Sequence, residues 1–235
     1  MSLSTVSPED VLPDRDHPRS ALFKRQARRQ FDGWAHTYDR SLLNYFLFRP
    51  SYLAVIEEIA RWRADHPSAF GLLDVGSGTG TLAKMLSHSR WPITVFGLDY
   101  SSAMCVQADA KQRKIEDRHC PTFVAGDSEH LPFQSATLDL VTCVNSFHHY
   151  PHQQAVVCEM RRVLKPGGRL ILLDGFRDNV IGWAVFDVVI AAIETSIHHA
   201  PWHEIHSLFE SAGLRNIRRR KLNLLFPVLA TIGDA

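Results

Sequence analysis

Leu72-Leu73-Asp74-Val75-Gly76-Ser77-Gly78-Thr79-Gly80 reads as a buried strand that runs straight into a glycine-rich turn. The three glycines alternate, G-x-G-x-G. Without Cβ atoms they reach backbone angles closed to other residues, and a ligand can come close to the peptide groups. Asp74 stands where the strand ends. An acid there repels a pyrophosphate but suits a cationic amino-acid group. A dinucleotide site asks for G-x-G-x-x-G, with the third glycine one position beyond Gly80. A tight strand-to-helix connection with no ligand is the plain alternative.

Outward from this turn, strands and helices alternate. A strand over 94–98 ends at Asp99, followed by a helix capped by Ser101 or Ser102. A short strand over 122–124 ends near Gly126-Asp127, and an apolar one over 138–144 ends at Asn145. A helix over 153–164 stops at Lys165-Pro166-Gly167-Gly168, and a buried strand over 169–173 leads to Asp174. This alternation predicts a parallel sheet covered on both faces. Open α/β sheets bind ligands beyond the carboxyl ends of their strands. Asp74, Asp99, Asp127, Asn145 and Asp174 all fall at such ends.

The flanks are less regular. Residues 1–20 carry Ser, Pro and Asp without an apolar period and read as a flexible arm. Residues 21–40 are basic and aromatic and partly helical, and a helix is expected over 52–63 after Pro50. An insertion with an apolar helix occupies 175–200. A helix over 201–212 follows, capped by Gly213, and strands over 218–222 and 225–230 close the chain. One domain over 21–235 results, with an N-terminal helical cap and the 175–200 insertion as a lid.

Composition narrows the function. The chain has 235 residues, 45% of them hydrophobic, enough for a sizeable core. A net charge of +1 offers no global basic field for nucleic acid or acidic membrane. Cys105, Cys120, Cys143 and Cys158 form no C-x-x-C pair and read as reduced thiols of a cytoplasmic protein. The N-terminus lacks the shape of a signal peptide. The longest apolar run, 180–193, is broken by Asp187 and is too short to span a bilayer.

The glycine turn, Val95-Phe96-Gly97-Leu98-Asp99, Gly126-Asp127-Ser128-Glu129-His130-Leu131-Pro132-Phe133 and Leu164-Lys165-Pro166-Gly167-Gly168 occur in an order and spacing that resembles the class I S-adenosylmethionine-dependent methyltransferases. The nearest likeness is to the branch of the ubiquinone and menaquinone C-methylases. Phe31-Asp32-Gly33-Trp34-Ala35-His36-Thr37-Tyr38-Asp39 is similar to that branch's N-terminal signature. The likeness is strong over residues 30–175. It implies a Rossmann-like, doubly wound, mainly parallel seven-stranded sheet of order 3-2-1-4-5-7-6, with helices on both faces and the last strand antiparallel. It also implies methyl transfer from S-adenosylmethionine to a small, hydrophobic acceptor, leaving S-adenosylhomocysteine.

The resemblance implies roles residue by residue. Asp74, Gly76 and Gly78 border the methionine part, Ser77 and Gly80 belong to the same cofactor site, and Asp99 holds the ribose hydroxyls. Tyr100 and Met104 pack near the adenine, although both suit plain helix packing. Asp127 accepts from the adenine amino group, with the Ser128 backbone near a ring nitrogen. Tyr38 closes over the cofactor, and Asn145 organises its pocket. His148 or His149 could take a proton from a phenol, enol or thiol, since imidazole titrates near neutral pH; alternatively one of the pair orders its loop. His198, His199, His203 and His206 have metal-compatible spacings, but Pro201 interrupts the helix, and no metal is expected. Two basic runs, Lys24-Arg25 with Arg28-Arg29 and Arg218-Arg219-Arg220-Lys221, read as a solvated helix face and a sheet edge. No nucleic-acid partner and no transmembrane segment are expected. A run over 224–232 either pairs with a second copy, giving a homodimer, or finishes the sheet. RNA- or protein-directed methylation and a non-catalytic cofactor-binding subunit stand as alternatives.

Overall fold

The computed structural model describes residues 18–35, 42–113, 120–175, 202–222 and 228–235, with 18–19, 42–47 and 202–203 described by backbone alone. In chain order the elements are α1 (Pro18–Trp34), α2 (Leu42–Asp65), β1 (Phe70–Val75), α3 (Thr81–Ser87), β2 (Ile93–Asp99), α4 (Ser102–Gln112), β3 (Thr122–Ala125) and β4 (Leu138–Val144). A 3-10 turn (Phe147–His149), α5 (Gln153–Val163), β5 (Leu164–Gly175), α6 (Trp202–Ser211), β6 (Arg215–Lys221) and β7 (Val228–Asp234) follow.

The strands form one sheet of order β3-β2-β1-β4-β5-β7-β6. The first five in that order pair in parallel, and β7 runs antiparallel to both β5 and β6. The expected order and the antiparallel last strand are both present. Period-2 alternation distributes the central strands over two cores. Leu73, Val141 and Leu172 face Val157, Met160 and Phe209 on one side. Leu72, Leu140 and Ile171 face Ile59, Leu82 and Leu86 on the other. Burial on both faces is why β1, β4 and β5 read as nearly continuous apolar runs.

From β1 the sheet grows one way through β2 and β3 and the other way through β4 and β5. The loops at the carboxyl ends of β1 and β4 therefore diverge and leave a crevice, the usual ligand position of such sheets.

Several boundaries differ from the sequence reading. Helix α2 begins at Leu42 and runs through Pro50. The ring's φ is compatible with a helix, so the price of Pro50 is confined to one missing N–H donor and local crowding. Strand β5 begins at Leu164 because Leu164 pairs with Leu138 before the register shifts. Gly167, at φ +79°, and Gly168 then sit as an irregularity bonded to Ala235. The last two strands lie at 215–221 and 228–234, offset from the expected 218–222 and 225–230. Residues 1–17, most of the 175–200 insertion, and the start of the 224–232 run lie outside the described residues. Among the described residues, no helix is long and apolar enough to cross a membrane.

The basic edge strand is tied to α2. Glu58 is only 2% exposed and accepts from Arg61 Nη1 at 2.6 Å and Arg218 Nη2 at 2.7 Å. Glu57 accepts from Arg61 at 2.7 Å and Arg220 at 2.8 Å. Because the arginines are half exposed, solvent weakens each pair, but removing the buried carboxylate strands several like charges together. Glu58→Ala should destabilise the fold by about 1–3 kcal/mol in urea titration, and Glu58→Gln by less. A wild-type midpoint in Glu58→Ala would show that the cluster adds nothing to the seating of α2.

Candidate active site

The glycine turn leaves β1 in left-handed backbone. Gly76 has φ +74° and Gly78 φ +52°. The N–H groups of Gly76 and Ser77 both donate to Leu98 O, at 2.8 and 3.0 Å, which pins the turn to β2. A Cβ on Gly76 would collide with Ser146 Oγ and lie 2.6 Å from Tyr150 Oη. A Cβ on Gly78 would meet nothing within 4 Å. The turn is thus packed beneath and open above.

Asp99, at the end of β2, accepts from Gly78 N–H at 2.8 Å on Oδ2 and from Ser101 N–H at 2.9 Å on Oδ1. Burial holds its carboxyl above the ordinary range; the bonds from Ser101 and Gly78 oppose this, and the charge of Asp32 adds to it. A carboxylate has about four acceptor positions, so two bonds leave room for hydroxyl donors. Ser101 caps α4, its hydroxyl accepting from Met104 N–H at 3.1 Å.

Asp127 accepts from Glu129 N–H on Oδ1 at 3.0 Å and from Lys24 Nζ on Oδ2 at 2.7 Å. Lys24 also lies 2.9 Å from Glu129. Burial works against the charge on Lys24, but its bonds to Asp127 and Glu129 outweigh that and raise its pKa. Helix α1 therefore crosses the crevice. Arg28 lies over the Tyr100 ring at 5.9 Å, the Ser101 hydroxyl bonds to Asp32, and Phe31 meets His149 edge-on at 4.9 Å.

Together these elements line one cleft that opens to solvent. Gly76, Ser77, Gly78, Asp99, Tyr100, Met104, Asp127, Ser128 and Asn145 all line it, as does His149. Lys24, Phe31, Tyr52, Ser146 and Tyr150 line it too, and sequence reasoning assigned none of them to the site. The aromatic-basic pattern of 21–40 was the available signal for Lys24 and Phe31. Tyr38, His198 and His199 lie outside the described residues. His206 pairs with Glu210 on its own helix at 3.4 Å.

Three sequence-selected residues do not reach the cleft wall. Gly80, at φ +73°, starts α3 against Phe123. Asp74 lies beneath the turn, bonded by the Thr142 hydroxyl at 2.8 Å. Its influence on a ligand would act through the turn rather than by contact. His148 is buried, its backbone N–H bonding Asp174 Oδ2 at 2.9 Å and its Nδ1 lying 2.7 Å from Asp174 Oδ1. With Asp174 ionised, its carboxylate only accepts, and Nδ1 would carry the proton toward it. The two histidines thus separate: His148 anchors the 3-10 turn to β5, and His149 faces the cleft with its ring 4.1 Å from that of His148.

The cleft suits an adenosyl amino-acid cofactor. Backbone is open above Gly78, and Asp99 has acceptor capacity left.

Burial raises the Asp74 carboxyl from an ordinary 3.8 to about 7, with the Thr142 hydroxyl opposing and the Asp99 charge adding. The folded protein keeps a proton that the unfolded chain gives up above about pH 4. Stability from this group is therefore lost as pH rises from about 4 to about 7. Asp74→Asn, uncharged at the same position, should gain on wild type across that window by about 4 kcal/mol at most. Urea midpoints of both proteins at several pH values test this; a gap independent of pH would contradict it.

A model of the methyltransferase domain family matches residues 73–172. The demethylmenaquinone methyltransferase of Thermotoga maritima is 32% identical over 158 residues, covering 64% of this chain and 62% of that protein. The demethylmenaquinone methyltransferase of Lactiplantibacillus plantarum is 31% identical over 179 residues, covering 65% of this chain and 73% of that protein. The chain thus spans between three-fifths and three-quarters of the length of these relatives. Among solved structures, magnesium protoporphyrin IX methyltransferase from Synechocystis PCC 6803, with S-adenosylhomocysteine bound, superposes with a TM-score of 0.71. It is 19% identical and the match covers 90% of this chain and 99% of that one, so it bears on the fold. Fold, ordered motifs and relatives agree, and the chain belongs to the class I S-adenosylmethionine-dependent methyltransferases, in the branch of the ubiquinone and menaquinone C-methylases.

Proposed function

We propose that this protein transfers a methyl group from S-adenosylmethionine to a small hydrophobic acceptor whose aromatic ring carries a hydroxyl, as a quinol or phenol does. The carrying observation is the mixed lining of the cleft. One part is glycine backbone and carboxylate, at Gly76–Gly78, Asp99 and Asp127. The other part is aromatic and imidazole, at Phe31, Tyr52 and His149. The demethylmenaquinone methyltransferases are named for a quinone, whose reduced form carries ring hydroxyls.

Asp99 receives the ribose hydroxyls, the Gly76–Gly78 turn borders the methionine part, and Tyr100 and Met104 flank the adenine. Asp127 and Ser128 face the adenine edge, with Lys24 holding the Asp127 carboxylate in place. When bound, S-adenosylmethionine supplies a sulfonium methyl whose C–S bond breaks as the acceptor's electron pair forms the new bond, leaving a neutral thioether. The protein's part is alignment and exclusion of water, under α1 and against Tyr52. His149 takes the proton that the acceptor hydroxyl must lose, and the His148–Asp174 pair fixes the turn that presents it.

Radiolabelled S-adenosylmethionine incubated with 1,4-naphthoquinol and simple phenols under reducing conditions should yield label extractable into organic solvent. No labelled product from any ring hydroxyl would contradict the acceptor class. Because the base must be deprotonated, wild-type turnover should fall on the acid side. His149→Ala should lower kcat about 100-fold or more and lose that acid limb. An unchanged pH profile in His149→Ala removes it as the base. Asp99→Ala should weaken S-adenosylhomocysteine binding at least about 100-fold in calorimetry, since a bidentate acceptor and the Gly78 tether go together; unchanged affinity would sink the ribose assignment.

A further inference from the structure

Lys24, Arg28 and Asp32 recur every four residues and so share one face of α1. Each meets a loop at the carboxyl edge of the sheet. Lys24 Nζ donates to Asp127 Oδ2 at 2.7 Å and lies 2.9 Å from Glu129, on the loop after β3. Arg28 lies over the Tyr100 ring and donates to Ser102 Oγ at 3.4 Å, and Asp32 accepts from the Ser101 hydroxyl, all after β2. Lys24, Arg28, Tyr100 and Asp127 also line the cleft. This stripe of α1 thus forms the outer wall beside the residues assigned to the adenine.

Within the stripe, Lys24 serves two carboxylates at once. Like charges that close push apart when they lose a shared cation. The side chain of Asp127 is 30% exposed and that of Glu129 only 2%, so Asp127 is the one free to swing outward. With Lys24 present, Asp127 is held from both sides, by the ammonium on Oδ2 and by Glu129 N–H on Oδ1. Each oxygen keeps one accepting position. A carboxylate so held takes an amino donor and repels a keto oxygen. Resting on the methyl-transfer reading above, which sets the adenine edge at Asp127, we infer that Lys24 is a specificity-determining residue for the nucleobase. It acts through Asp127, as a positioning residue, and selects a 6-amino purine over a 6-oxo purine.

Calorimetric titration of the full chain with S-adenosylhomocysteine and with S-inosylhomocysteine, at one pH and ionic strength, tests this. Wild type should prefer the adenosyl compound about 10–100-fold, the worth of a hydrogen bond to a charged group. Lys24→Met, of similar length and uncharged, should weaken the adenosyl compound about 10-fold and change the inosyl compound less than about 2-fold. Lys24→Arg, which keeps the charge, should retain most of the preference. Wild-type affinity for S-adenosylhomocysteine in Lys24→Met overturns the inference. An equal fall for both compounds does so too, because it assigns Lys24 to the packing of α1 alone. A preference lost as fully in Lys24→Arg as in Lys24→Met removes the role of the charge and overturns it as well. A wild type that binds both compounds equally removes the placing of adenine at Asp127, and one that fails to bind S-adenosylhomocysteine removes the parent reading itself.

Discussion

The bond from Gly78 N–H to the Asp99 carboxylate joins the two loops on which the cleft depends. The turn after β1 must leave the sheet in left-handed backbone, and the loop after β2 must begin α4 within two residues. One carboxylate serves both, taking Gly78 N–H on one oxygen and Ser101 N–H on the other. Leu98 O completes the tie by accepting from Gly76 and Ser77. Parallel pairing of β1 with β2 then sets the height of the turn, and the divergence of chain at β1 and β4 leaves the space above it.

The electrostatics follow from that arrangement. Asp74, Asp99 and Asp127 gather at adjacent strand ends, and burial pushes the first two toward their neutral forms. Such a cluster is costly without a counter-charge. Lys24 supplies one to Asp127 from α1. On the proposed reading, a cofactor carrying an ammonium and a sulfonium supplies the rest, and its binding favours ionised Asp74 through the turn. The same acids would disfavour the pyrophosphate of a dinucleotide, which agrees with the spacing of the glycines.

Much of this was legible in the sequence because it is local. A strand followed at once by glycines, an acid at the end of the next strand, and a capping serine two residues on are patterns within a few positions. The strand order followed from the resemblance rather than from the residues. What stayed hidden depends on contacts between distant segments. Lys24 meets Asp127 across 103 positions, and Ser51 meets Asn145 across 94. Adjacent residues also diverge for reasons of direction: His148 turns inward to Asp174 while His149 turns to the cleft. Asp74, on a strand with alternating faces, bonds Thr142 beneath the turn instead of opening above it. The run Arg218–Lys221 read as a solvated edge, whereas Arg218 and Arg220 reach Glu58 and Glu57 on α2.

A cleft with open glycine backbone and a ribose-type acid at adjacent strand ends should take an adenosyl amino-acid cofactor. Calorimetric titration of the unmodified chain with S-adenosylhomocysteine and, separately, with NAD tests it most directly. One-to-one binding of S-adenosylhomocysteine is expected, with none of NAD at the same concentrations. Binding of NAD with no heat from S-adenosylhomocysteine would contradict it.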